Sequence, residues 1–151
     1  KFSAMSDQEF SELIKKRPLK AEFYQSFNKN TGFTQDQIFD SLAVISRTAK
    51  RMDEMLNKFG GPWLLGTDYS LADIAVLPLI DRIEDLGLDG LWIEPYPSVS
   101  KWLYNAQQRT ATNKSYFNGS RLSEQFPDFV KGPGSLSDWT DKFFKARGNK
   151  D

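Results

Sequence analysis

Gly61-Pro62-Trp63-Leu64-Leu65-Gly66-Thr67-Asp68-Tyr69-Ser70-Leu71-Ala72-Asp73-Ile74-Ala75 is the stretch on which the reading of this chain turns. Gly60, Gly61 and Pro62 stop whatever helix precedes them, because Gly relaxes the backbone and Pro cannot continue the ladder. Trp63 to Tyr69 then reads as a loop with an apolar start. Ser70 and Asp73 stand three residues apart, the spacing of a capping box, with Asp as a shorter relative of the usual Glu. Tyr69 before the cap and Ile74 at its fifth position suit a hydrophobic staple. Residues 71–80 hold a single charge, Asp73. Apolar nearly all round, this segment predicts a central, buried helix that continues through Ile83 and Leu86. Pro78 lies inside it and leaves the Ile74 carbonyl without its helical donor.

Upstream, Thr34 is an N-cap and Asp36 suits the positive end of a helix dipole. Ile38, Leu42, Ile45, Ala49, Met52, Leu56 and Phe59 recur in steps of four and three. Arg47, Lys50, Arg51, Asp53, Glu54 and Lys58 take the opposite side, which predicts one long amphipathic helix. Before it, Ser6 and Glu9 form another capping box, followed by a face of Phe10, Leu13 and Ile14. Pro18 opens a second short helix with Leu19, Phe23 and Phe27 as its stripe and Tyr24 beside it. Downstream, Pro97 or Ser98 starts a helix with Val99, Trp102, Leu103 and Ala106 on one face. A short helical turn follows around Thr112 to Phe117. Pro127, Gly132, Pro133 and Gly134 punctuate the tail, and Ser137 caps a last helix carrying Trp139, Phe143 and Phe144. No alternating strand and no repeat is visible. The expected fold class is all-α, a bundle of about five or six helices, with residues 1–117 as the bundle and 118–151 as a C-terminal extension.

Composition excludes several functions. The 151 residues carry 20 Lys plus Arg against 20 Asp plus Glu, so the global basic excess of a nucleic-acid binder is missing. The basic groups Lys15, Lys16, Arg17, Lys20 and Lys142, Lys145, Arg147, Lys150 are diluted by neighbouring acids and read as solvated faces. With no Cys and no His there is no disulfide, no Cys/His zinc site, no thiol nucleophile and no imidazole base. No apolar run approaches a membrane span, and mean hydropathy is -0.54. Lys1 is not an initiator Met, and Met removal needs a small second residue. The expectation is a piece of a longer protein.

The stretch from Gly61 to Ala75 resembles the C-terminal helical domain of the glutathione S-transferase superfamily, whose central helix is announced by such a loop and a Ser/Thr-x-x-Asp box. Tyr96-Pro97-Ser98-Val99 with Trp102 resembles the start of the family's next helix. Its usual sequel, Arg-Pro, is Arg109-Thr110 here. The resemblance covers about residues 1–117. It implies that the catalytic hydroxyl or thiol and the glutathione-binding groups lie in an N-terminal thioredoxin-like domain preceding Lys1. This chain then holds no catalytic residue and no metal. The resemblance further implies glutathione as co-substrate of the parent protein, not bound by this chain alone. The implied partners are that thioredoxin-like domain and a second copy in a homodimer, without nucleic acid or membrane, in the cytoplasm. The parent would be a transferase or a related dehalogenase or ether-cleaving enzyme.

The helical domain's part in the family is one wall of the pocket for the apolar second substrate. Phe10, Tyr24, Phe27 and Tyr104 are the residues expected there, with core packing as the alternative for each. Ser70 beside Asp73 also suggests a nucleophile and its carboxylate, but the cap already uses both side chains. Trp63, Trp92 and Trp102 read as structural. Trp139, Phe143 and Phe144 either dock on the bundle, close over the pocket, or belong to a mobile segment. A different reading takes the same fold as a non-catalytic interaction module, as in translation factors and aminoacyl-tRNA synthetases. On either reading, a domain separated from its neighbour exposes the apolar surface that the neighbour covers.

Overall fold

The computed structural model describes residues 4–26, 32–115, 121–130 and 135–148. No strand occurs among them; Trp63 and Gly66 form an isolated bridge. The fold is all-α. The chain divides into two compact units, Lys1–Ser41 and Leu42–Asp151.

In the first unit, α1 (Asp7–Lys15) starts at the expected box: the Ser6 N–H donates to Glu9 Oε2 at 2.8 Å, and the Glu9 N–H donates to Ser6 Oγ at 3.2 Å. Pro18–Lys20 form a 3-10 turn that leads into α2 (Ala21–Ser26). The stripe expected at Leu19, Phe23 and Phe27 does not form as read. Leu19 is fully exposed, Phe23 is half-exposed, and Tyr24 is buried, at 4%. The reason is the turn itself. A 3-10 turn advances about 120° per residue against 100° in an α-helix, so Leu19 is out of phase with the helix that follows. Phe27 lies outside the described residues. The long helix α3 (Gln35–Phe59) begins at Thr34, whose Oγ1 accepts the Gln37 N–H at 3.3 Å while the Thr34 N–H donates to Gln37 Oε1 at 2.9 Å.

In the second unit, α3 buries Leu42, Ser46, Ala49, Met52 and Leu56. Ser46 therefore joins the inner line, while Phe59, expected on it, is half-exposed at the helix end. The central helix α4 (Leu71–Asp85) runs through Pro78 and packs against α5 (Pro97–Gln107). Helix α5 buries the four residues read for its inner face, Val99, Trp102, Leu103 and Ala106. No side chain of its own caps it. Asp53 of α3 does so from outside, accepting the Ser98 N–H at 3.0 Å.

Helix α4 ends in a Schellman motif: the Leu88 N–H reaches the Ile83 carbonyl at 3.2 Å, and the Gly87 N–H reaches the Glu84 carbonyl at 2.8 Å. Gly87 has φ +73, and a Cβ there would press on the Val130 carbonyl at 2.9 Å. Short helices α6 (Thr110–Ser115), α7 (Leu122–Gln125) and α8 (Pro127–Val130) lead to the terminal helix α9 (Asp138–Gly148). The tail docks on the bundle. Val130 and Phe143 are buried, and Thr140 approaches Gly90 in the 3-10 turn Asp89–Leu91.

Candidate functional site

Asp73 organises the start of α4. Its side chain has no surface exposure. Oδ2 accepts the Ser70 N–H at 2.9 Å and the Ser70 hydroxyl at 2.8 Å. Oδ1 accepts the Leu64 N–H at 3.0 Å and the Trp102 indole Nε1–H at 2.8 Å. Burial pushes this carboxyl up. The donors from Leu64, Trp102 and Ser70 outweigh it and hold the group below the ordinary carboxylate range. A carboxylate bound to four donors and sealed from solvent orients the loop, α4 and α5 together. It has no open face from which to act on a substrate. The loop it grips is tight: the Trp63 N–H donates to the Gly66 carbonyl at 3.1 Å, and the Gly66 N–H returns to Trp63 at 3.2 Å. A Cβ on Gly61 would overlap that Gly66 carbonyl. Tyr69 pairs its ring with Trp63, centroids 4.8 Å apart.

Gripped from one side, α4 turns its other side outward. Leu71 is 81% exposed, and Ile74, Ala75, Pro78 and Leu79 are exposed as well. These positions step by three, one, three and one, which places them on one helical face. The next position on that face is Arg82, also exposed. The expectation that α4 is buried all round is thus corrected. Its apolar residues form two faces, of which the Leu77, Ile80 and Ile83 face is covered and the Leu71–Leu79 face is bare.

The C-terminal end of α4 carries Asp81, Glu84 and Asp85, the first and last of them buried. Arg121 spans all three: 3.3 Å to Asp81, 3.2 Å to Glu84 and 3.4 Å to Asp85. Gln107 of α5 donates to Asp81 at 2.9 Å and to Glu84 at 2.8 Å. Asp85 also accepts the Leu122 N–H at 2.8 Å, the Ser123 N–H at 3.1 Å and the Ser123 hydroxyl at 2.6 Å, so it caps α7. Burial pushes Asp85 up, but these donors, with Arg121, hold it below its ordinary range. Burial likewise works against the Arg121 charge, which Asp81, Asp85 and Glu84 more than restore. The sequence reading missed this clamp. A signal was present: three acids at the C-terminal end of a helix oppose its dipole and call for a cation from elsewhere.

The residues expected on a substrate wall fall in different surroundings. Phe10 and Tyr24 meet edge to face, centroids 6.2 Å apart. The Tyr24 hydroxyl accepts from Arg17 Nη1 at 2.9 Å. Tyr104 belongs to the second unit and is 63% exposed. Among the described residues no group of three or more acids is arranged to hold a metal ion, and no helix is long and apolar enough to cross a membrane.

A protein-family model described as "Glutathione S-transferase, C-terminal domain" matches residues 34–103. The match takes in α3, the loop from Gly60 to Ser70, α4 and α5 as far as Leu103, hence every partner of Asp73. Phe10, Tyr24, Phe27, Tyr104 and the Arg121 clamp lie outside it. Comparison with curated proteins gives no significant match, and neither does comparison with solved structures.

Proposed function

From the match of residues 34–103 to the glutathione S-transferase C-terminal domain model, we propose that the chain is the helical half of a glutathione-dependent enzyme and that the bare face of α4 seats a thioredoxin-like, glutathione-binding domain. The observation that carries this reading is the apolar row Leu71, Ile74, Ala75, Pro78 and Leu79 on a helix whose other face is fixed by Asp73. A contiguous exposed apolar patch on a well-packed helix is characteristic of an interface. Glutathione supplies the thiol when bound to the partner domain. This chain's contribution is to present an apolar acceptor beside it, which accelerates reaction by proximity and orientation. Within the second unit, the exposed Tyr104 is proposed to contact the acceptor.

The test begins with the coding sequence upstream of Lys1. The proposal expects a thioredoxin-like domain there, and glutathione transfer to an electrophilic aromatic acceptor by the joined protein. It also expects no transfer by the 151-residue chain alone. An unrelated neighbouring domain, or turnover by the isolated chain, overturns it. The first of those outcomes favours the non-catalytic interaction module.

A further inference from the structure

Next to that bare face, α4 and α6 border a cavity of about 510 Å3 whose walls include Ile74, Leu77, Pro78 and Ala111. Three charged side chains reach it, Asp81, Arg82 and Arg109. Two of them are already compensated. Asp81 receives Arg121 Nη1 on both carboxylate oxygens at 3.3 Å, and Arg82 donates to Asp85 at 2.8 Å. Arg109 is different. Its guanidinium carbon lies 3.7 Å from the centroid of the Tyr69 ring and 5.6 Å from that of Trp63. Among the described residues it has no carboxylate partner. Two aromatic faces therefore fix the cation in place while leaving its hydrogen-bond donors unmatched by any acid.

A half-buried, oriented guanidinium beside apolar walls is built to recognise an anion attached to an apolar body. Planar carboxylates match the guanidinium fork best, and the Ile74–Pro78 surface provides the contact for the remainder. We propose that this cavity binds a small organic carboxylate, its carboxylate on Arg109 and its apolar body against Ile74, Leu77 and Pro78. The site uses residues of α4, α6 and the preceding loops; it shares Ile74 and Pro78 with the row proposed to seat a partner domain, so it is a site of the chain free of that domain.

Titration calorimetry of the 151-residue chain with 1-naphthoate, and with the neutral 1-naphthamide, tests this. The expected result is saturable binding of naphthoate with a Kd of about 1 mM or tighter, and binding of the amide at least about tenfold weaker. Arg109→Gln should weaken naphthoate binding by about tenfold or more, and Ile93→Ser, exposed and outside the cavity lining, should leave it unchanged. Absence of saturable binding, equal affinity for acid and amide, or undiminished binding by Arg109→Gln overturns the proposal. So does a loss in Ile93→Ser that matches the loss in Arg109→Gln, since binding would then not depend on this cavity. The acid–amide comparison on the unaltered chain decides the matter even if the Arg109 variant does not fold.

Discussion

Four donors converge on the two oxygens of Asp73, and they come from three places in the sequence. Asp73→Ala leaves the Leu64 N–H and the Trp102 indole unmatched in the interior, at about 1–3 kcal/mol each, and removes a cap. The expected loss is at least about 3 kcal/mol, read as a fall in the urea midpoint with an unchanged slope. An unaltered midpoint would refute the role given to Asp73. Its titration makes a further prediction. A carboxyl held below its unfolded value of 3.8 adds stability above that pH and loses it as pH falls through the lower folded value. Asp85 behaves in the same way. With no histidine in the chain, stability should be flat between about pH 5 and 8 and should fall below about pH 4. In Asp73→Asn the acid limb should be shallower.

At the scale of the element, α4 is held at both ends by charges that it carries itself. Arg121→Ala takes the cation from Asp81 and Glu84, leaving them the Gln107 amide, and leaves Asp85 with Arg82 and its donors from Leu122 and Ser123. Removing one partner of a buried ion pair costs about 3–5 kcal/mol. Arg121 remains about a quarter exposed, 26%, so roughly 2–3 kcal/mol is expected. Pairing Arg121→Ala with Asp81→Asn should cost less than the sum of the two single changes, because one stranded charge is gone. Additive losses would argue against a coupled clamp. The difference between what was read and what was missed follows from range. Ser6 with Glu9, Ser70 with Asp73 and Pro97 at a helix start act across a few residues, and all were legible. The bonds from Asp73 to Trp102 and from Asp85 to Ser123 join residues 29 and 38 apart, and no local pattern encodes them. Helical phase was legible within α3 and α5, and it failed across Pro18–Lys20, where the pitch changes.

For the whole molecule, the unread feature was which apolar face of α4 remains open. Periodicity reports that a residue is apolar; it does not report whether the chain itself covers it. An open row of this kind should drive association of the isolated chain. Ile74→Lys with Leu79→Lys is expected to shift sedimentation toward the monomer at equal concentration while the urea midpoint changes by less than about 1 kcal/mol, since both sites are already exposed. If association persists unchanged, another surface is responsible. The residues proposed for a wall were chosen by type and helical spacing alone. Tyr24 and Tyr104 are both aromatic residues on helices, yet one is buried and the other open, a distinction set by tertiary packing.

Trp102 is 1% exposed, and its indole N–H points at a full negative charge. Burial moves the emission of such a chromophore to shorter wavelength, and a carboxylate at the pyrrole end of the indole moves it back, so the excited-state dipole senses Asp73 directly. Opening of the loop, protonation of Asp73 or separation of α5 from α4 would each alter that emission. With Trp63, Trp92 and Trp139 replaced by Phe, the protein would carry an intrinsic optical gauge of the joint that holds its central helix.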